Sequence, residues 1–119
     1  MAAPVGPYSP AVLAGPWLVC SGQVGITQGP DGPVLADGFE AQARQAIANV
    51  ADVLGGHGLS WQHVVKTTVF LTDVDQFATF NGIYMDALGS HRPARSLVVV
   101  AALPLGAEVE VEAWAYADR

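Results

Sequence analysis

The sequence is organised around Pro93-Ala94-Arg95-Ser96-Leu97-Val98-Val99-Val100, which sets one of only five cationic side chains at the start of an apolar run. A run rich in β-branched residues predicts a strand that is covered on both faces. Arg95 then stands at the mouth of a dry interior. Because a guanidinium group cannot be neutralised, it needs an anionic partner there, either a carboxylate of the protein or a ligand.

Size and composition predict one domain that spans residues 1–119. Hydrophobic residues make up 51% of the chain and charged residues only 13%, which is ample for a core. Such sparse charge leaves more apolar surface than one small domain can hide. Burial of that surface between subunits is therefore expected, and self-association is predicted.

Charge and hydropathy narrow the classes of partner. Five basic against eleven acidic residues give a net charge of −6, which disfavours nucleic acid. The longest apolar stretch, residues 97–105, is interrupted by Pro104 and is too short for a membrane span, and residues 1–6 lack the pattern of a signal peptide. The single cysteine, Cys20, excludes an internal disulfide framework. The sequence thus predicts a soluble, cytoplasmic protein with no nucleic-acid or membrane partner.

The N-terminal third predicts a hairpin that follows a stiff segment. Flanking prolines hold Tyr8 on an extended backbone, and Gly15-Pro16 marks a turn before a strand over residues 17–24. Gly22 within that strand suits a β-bulge or the close approach of a ligand, and Ser21 beside it supplies a hydroxyl group and an amide. An irregular strand end is the alternative interpretation.

The middle of the chain alternates helix and strand signals. Turn residues predict a surface loop over residues 29–38, and apolar residues at three- and four-residue steps predict a helix from Phe39 to Leu54 that ends at Gly55-Gly56. A β-branched segment predicts a strand over residues 64–71. A second amphipathic helix is predicted from Val74 to about Gly89, with Thr72 or Asp73 as its N-cap.

Asn81 falls on the apolar stripe of the second predicted helix. A buried amide needs hydrogen-bond partners, so Asn81 either bonds to the sheet or points into a site. The last predicted strand, residues 108–116, alternates strictly and places Glu108, Glu110 and Glu112 on one face. Either this is a solvated face, or one deeper glutamate has its pKa raised by burial and acts as an acid or base.

Other kinds of site lack their signatures. His57, His63 and His91 have no ligand spacing, which argues against a metal site. The glycine cluster at residues 55–58 follows a helix instead of preceding one, so it does not predict a phosphate loop. Cys20 in a strand is typical of a small buried apolar residue.

The distance between Arg95 and Glu110 depends on strand order. If the last two strands form a hairpin, Arg95 lies opposite the region of Trp114, and Glu110 is about 13 Å further along. That distance is too long for both side chains to engage one small molecule. A neighbouring subunit that supplies its own Glu110, or Asn81 and Tyr8, would remove the problem.

Five ordered motifs in a β-β-α-β-α-β-β arrangement resemble the RidA/YjgF family of enamine/imine deaminases. They cover nearly the whole chain and are Gly6-Pro7-Tyr8-Ser9-Pro10-Ala11, Ser21-Gly22-Gln23, Val65-Lys66-Thr67-Thr68-Val69-Phe70-Leu71-Thr72-Asp73, Pro93-Ala94-Arg95-Ser96 and Val109-Glu110-Val111-Glu112-Ala113. The resemblance implies a chorismate-mutase-like α+β fold with two helices on one face of the sheet. It also implies homotrimers with ligand clefts between subunits, and no cofactor or metal.

The resemblance further implies a reaction and the residues that perform it. Reactive 2-enamine or 2-imine acids would be hydrolysed to 2-keto acids and ammonia, which detoxifies them. Arg95 matches the family arginine that binds the substrate carboxylate, and Glu110 matches the glutamate that positions the attacking water. The other positions expected to bind substrate are Tyr8, Ser21, Gly22, Asn81 and Leu97.

One departure from the family concerns Leu97, because many members have a cysteine at this position. Thiol-dependent behaviour is therefore not expected of this chain, and its substrate preference is expected to differ. A second function class also fits the sequence, namely a non-catalytic trimeric module that binds small carboxylates or partner proteins. The presence of both Arg95 and Glu110 favours the enzyme.

Overall fold

A computed structural model describes residues 4–118 as a mixed five-stranded sheet with both helices packed on one face. Residues 1–3 and 119, which the single-domain prediction includes, lie outside the described residues. The helices are α1 (Phe39–Gly56) and α2 (Phe77–Leu88). The strands are β1 (Ala11–Ala14), β2 (Trp17–Val24), β3 (Ile26–Gly29), β4 (Gly32–Leu35), β5 (Val64–Leu71), β6 (Ala94–Val99) and β7 (Val109–Tyr116).

The predicted α+β class and the order of the main elements are confirmed. The predicted first helix agrees with α1, and the predicted central strand agrees with β5. The second helix begins with a short 3₁₀ turn, and the Asp73 carboxylate caps it by accepting a hydrogen bond from the Asp75 amide at 2.9 Å. Neither helix within residues 4–118 is long and apolar enough to cross a membrane.

One predicted loop is a small sheet of its own. Residues 29–38 were expected to form a surface loop, but β3 and β4 pair as an antiparallel hairpin that overlaps this region. The turn between them lies at Pro30-Asp31, so the turn chemistry itself is correct. The short flanking strands carry too little periodic pattern to predict.

The strand order is β1-β2-β7-β5-β6, which makes the predicted hairpin between the Arg95 and Glu110 strands wrong. Because α2 forms a crossover from β5 to β6, those two strands run parallel. β7 then pairs antiparallel with β5 on the opposite side. β5 therefore separates the strand of Arg95 from the strand of Glu110.

The core lies between the sheet and the two helices. Alternate residues of β7, namely Val109, Val111, Ala113 and Ala115, are fully buried against them. The face of the sheet opposite the helices, here called the open face, carries the intervening positions. On it Trp17 makes edge-to-face contacts with Trp114 and Tyr116.

β6 is an edge strand of the single chain. The prediction that it is covered on both faces is therefore wrong for the single chain. Its register with β5 turns Arg95 and Leu97 toward the helices. On this outer strand, Val98 and Val99 keep 44% and 48% of their surface exposed. Such exposed β-branched residues at a sheet edge are typical of a surface that another chain covers.

Asn49 of α1 holds the end of β2 against the helix layer. Its side-chain amide donates to the carbonyl oxygens of Val24 and Ile26 at 3.0 and 2.9 Å, and its oxygen accepts from Gln45 at 2.9 Å. The side chain is only 1% exposed. The carbonyl groups of Val24 and Ile26, on either side of the junction between β2 and β3, are thus satisfied by a helix side chain.

We expect Asn49→Ala to lower the free energy of unfolding by about 2 to 3 kcal/mol, because it leaves two buried carbonyl groups without donors. Gln45→Ala is the matched control, since it removes a donor to Asn49 but leaves both carbonyl contacts in place. Urea unfolding of both variants measures the difference. Equal losses in the two variants would contradict the role assigned to Asn49.

Candidate functional site

Arg95 rests on an aromatic platform that α2 provides. Its guanidinium carbon lies 5.0 Å from the ring centroid of Tyr84 and 5.9 Å from that of Phe77, which are cation–π distances. The Tyr84 hydroxyl shares a 2.8 Å hydrogen bond with Thr67 of β5, the strand neighbour of Arg95. This contact fixes the ring and, through it, the guanidinium group.

A cleft of about 300 Å³ opens beside this platform, here called the Arg95 cleft. It is lined by Asn81, Tyr84, Met85, Arg92, Pro93 and Arg95. Within residues 4–118, the guanidinium of Arg95 has the two rings as neighbours and no carboxylate partner. A structural ion pair, which the sequence left open, therefore has no partner in this part of the chain.

Asn81 presents an unsatisfied oxygen at the same cleft. Its Oδ1 atom is buried and has no hydrogen-bond partner among the described residues. A buried acceptor without a donor costs free energy, so a ligand that donates an N–H or O–H group there would relieve that cost. This unsatisfied acceptor is compatible with the interpretation that Asn81 contacts a site, which stays a prediction.

Glu110 lies on the open face, in a part of the sheet shaped by Gly22. The register of β2 against β7 shifts between Cys20 and Gln23, which confirms the predicted bulge at Gly22. A Cβ atom added to Gly22 would lie 2.5 Å from Oε2 of Glu110. A side chain at this position would require the Glu110 carboxylate to move from where it lies.

A second cleft, of about 540 Å³, surrounds this carboxylate and is here called the Glu110 cleft. Tyr8, Ser21, Gly22, Glu110 and Glu112 are among the residues that line it. The Ser21 hydroxyl donates to the Ser9 carbonyl at 2.6 Å, and the Ser21 amide donates to the Pro10 carbonyl at 2.8 Å. These two bonds hold the Tyr8 segment along one side of the cleft.

Burial raises the pKa of the Glu110 carboxyl group, and the neighbouring charge of Glu112 raises it further. This direction agrees with the hypothesis of one deeper glutamate. The expectation that three carboxylates share a face is wrong for Glu108. Glu108 lies before β7, and its carboxylate accepts a hydrogen bond from Gln42 of α1 at 3.3 Å.

The two clefts of one chain do not meet. Arg95 pairs with Thr67, which in turn pairs with Ala113, three residues beyond Glu110. Because three is an odd number, the Arg95 and Glu110 side chains leave opposite faces of the sheet. Two strand spacings and three residues of rise separate their Cα atoms by about 14 Å.

The sequence-predicted residues thus divide into two groups. Asn81 joins Arg95 at one cleft, whereas Tyr8, Ser21 and Gly22 join Glu110 at the other. Leu97 belongs to neither lining and packs against the hydrophobic core.

Sequence reasoning missed the Tyr84 and Phe77 platform, because helix periodicity marks both simply as apolar positions. It also missed Arg92 as a lining residue, although its place next to the Pro93 motif was a usable signal.

Comparison with known proteins agrees with this α+β fold. The family profile described as "Endoribonuclease L-PSP" matches residues 1–117. Human 2-iminobutanoate/2-iminopropanoate deaminase is 41% identical over 109 residues, which cover 92% of this chain and 79% of the human protein.

Two solved structures are also similar to this chain in fold and in sequence. RidA from the Antarctic bacterium Psychrobacter sp. PAMC 21119 has a TM-score of 0.90 and 42% identity, and the match covers 97% of this chain and 92% of that one. E. coli TdcF with bound serine has a TM-score of 0.86 and 35% identity, with coverage of 97% and 91%. The chain belongs to the RidA/YjgF family, which confirms the resemblance seen in the sequence.

We expect Glu112→Gln to lower the pKa of Glu110 toward its ordinary value, because the substitution removes a negative charge that opposes ionisation. A pH titration of the glutamate side-chain carboxyl carbons by NMR measures this change. Glu108→Gln is the control and should leave the titration of Glu110 unaltered. An unchanged Glu110 titration in Glu112→Gln would show that burial alone raises its pKa.

Proposed function

We propose that this protein hydrolyses reactive 2-enamine and 2-imine acids to 2-keto acids and ammonia. The observation that carries the proposal is Arg95, a guanidinium group fixed over an aromatic ring with no carboxylate partner within residues 4–118. Its planar fork suits a carboxylate, which every such substrate carries. The human relative named as a 2-iminobutanoate/2-iminopropanoate deaminase supports the same reaction class.

The proposed reaction needs few groups. Arg95 binds the substrate carboxylate and so orients the adjacent C=N bond. Protonation of the nitrogen makes the carbon electrophilic, water adds to it, and the carboxylate of Glu110 accepts a proton from that water. Glu110 then gives this proton to nitrogen, the C–N bond breaks and ammonia leaves, and the hydroxyl group returns a proton to Glu110 as the C=O bond forms.

Two features support these roles. The raised pKa of Glu110 brings its basicity closer to neutral pH, where a general base works best. The unpartnered Oδ1 atom of Asn81 is suited to accept a hydrogen bond from the protonated substrate nitrogen. Since imines already hydrolyse slowly in water, positioning of this kind supplies a sufficient acceleration.

The working site in this proposal combines the Arg95 cleft of one subunit with the Glu110 cleft of a neighbour in a homotrimer. The support is geometric, because Arg95 and Glu110 of one chain point away from each other on opposite faces of the sheet. Exposed Val98 and Val99 on β6 and exposed Trp114 on the open face are apolar positions suited to subunit contact.

Two other functions fit less well. The family description names an endoribonuclease, but a net charge of −6 opposes the approach of a phosphate backbone. A non-catalytic carboxylate-binding module would use the Arg95 cleft, and the relative with bound serine is compatible with it. That module gives no reason for a glutamate with a raised pKa in a cleft of its own.

The test is a competition assay. An amino-acid oxidase generates the imine in the presence of a nucleophilic trap, and the yields of trapped imine and of 2-keto acid are compared with and without the protein. We expect the protein to divert imine from the trap to the keto acid. An unchanged yield for imines of several amino acids would leave the binding module as the better proposal.

Arg95→Lys keeps the charge but loses the planar fork. We expect kcat/KM for imine hydrolysis to fall by about 100-fold, because the carboxylate loses its bidentate orientation. The free energy of unfolding should change by less than about 1 kcal/mol, since the side chain lies at a cleft and has no protein ion pair. Arg44→Lys, an exposed position on α1, is the control. Full activity of Arg95→Lys would disprove the carboxylate contact.

Complementation tests the two-subunit site. Arg95→Ala and Glu110→Ala are each expected to be inactive, but after they are denatured and refolded together, about one quarter of the sites in random trimers should pair an intact Arg95 with an intact Glu110. Activity should return to a similar fraction. Sedimentation and mass spectrometry establish that mixed trimers form, and mixed trimers without activity would place both residues of a site on one subunit.

A further inference from the structure

We propose that Arg92 makes the Arg95 cleft a two-cation site that selects 2-imino dicarboxylic acids over monocarboxylic ones. This inference names a substrate class and rests on the deaminase function proposed above. Arg92 would act as a specificity-determining residue that binds the second carboxylate of the substrate.

The distribution of charge is the first observation. The whole chain has only five basic residues and a net charge of −6. Two of those five, Arg92 and Arg95, line the same cleft, and none of the six lining residues is acidic. Positive charge is therefore concentrated at this cleft, although the protein as a whole is negatively charged. The lining that one chain contributes favours a ligand with more than one negative charge, while Glu110 of the neighbouring chain acts at the reacting carbon of the proposed site.

The way Arg92 is held is the second observation. Its Nη1 atom donates to the carbonyl oxygens of Gly89 and His91 at 2.6 and 2.9 Å, just beyond the end of α2. These acceptors are neutral, so they orient the guanidinium group without cancelling its charge. The Nε and Nη2 donors have no partner among residues 4–118. Arg92 is thus oriented in advance, with donors left for a ligand.

The spacing of the two arginines is the third observation. Arg92 and Arg95 are separated by Pro93 and Ala94 in an extended segment, so their Cα atoms lie about 10 Å apart. Both side chains still line one cleft of about 300 Å³, and a small dicarboxylic acid carries its charges a short carbon chain apart. A monocarboxylic imine would leave an alkyl chain against the second guanidinium group.

The second carboxylate takes no part in the chemistry. Water adds to C2, the C–N bond breaks, and ammonia and a 2-keto dicarboxylic acid are released, as in the general reaction. The reactions that supply such an imine are oxidations of acidic amino acids at Cα. A purely structural alternative is that Arg92 only caps the C-terminus of α2, where its positive charge is favourable.

The experiment compares imines generated in situ from aspartate and from alanine by the corresponding oxidases. For the wild-type protein we expect kcat/KM to be at least about tenfold higher for the dicarboxylic imine. Arg92→Gln should lower the value for the dicarboxylic imine by at least about tenfold more than it lowers the value for the alanine imine. Arg44→Gln alters the net charge equally, lies outside the cleft, and should change neither.

A binding measurement keeps the inference testable if Arg92→Gln fails to fold. Calorimetry on the wild-type protein should show succinate binding at least about tenfold more tightly than propionate. Equal affinities, or equal losses of activity on both imines in Arg92→Gln, would overturn the dicarboxylate preference and leave the deaminase proposal intact. If neither imine were hydrolysed, the proposed deaminase function itself would be wrong.

Discussion

The pairing of β5 with β7 on one side and with β6 on the other is the constraint on which the site depends. It sets an odd number of residues between the strand position of Arg95 and that of Glu110. A shift of one residue in either register would bring both side chains to the same face, and it would turn away from the core either Val111, if β7 moved, or Leu97, if β6 moved. The hydrophobic core therefore fixes the division of the functional groups between the two faces.

The two charged groups of the proposed site, Arg95 and Glu110, lie in the fold without an oppositely charged partner among residues 4–118. Arg95 stands on two aromatic rings without a protein anion, and Glu110 is packed against a glycine bulge beside a second carboxylate. An unpaired charge at a partly buried position is unfavourable for stability, so neither group is explained by folding alone. Because the protein supplies no ion pair at these two positions, a bound charged molecule can form one and so gain binding free energy.

Local periodicity in the sequence was sufficient to predict both helices, β5 and β7, because each buries one regular face. The family motifs were sufficient to indicate the site residues as candidates. Strand order was not predictable in this way, since the pattern of a strand says which residues are buried but not which strand lies beside it. The hairpin assumed between β6 and β7 failed for this reason. The predicted coverage of β6 on both faces was wrong because an apolar run does not distinguish a central strand from an edge strand.

The position of β7 has a consequence for how the protein acquires its structure during synthesis. β7 follows every other strand along the chain, yet it lies between β2 and β5 in the centre of the sheet. Trp17 of β2 pairs with Tyr116 of β7, so the five-stranded sheet cannot close until β7 has emerged from the ribosome. Until then β2 and β5 leave unpaired backbone N–H and C=O groups along the edges that β7 will later occupy. The centre of the sheet consequently forms through contacts of high sequence separation.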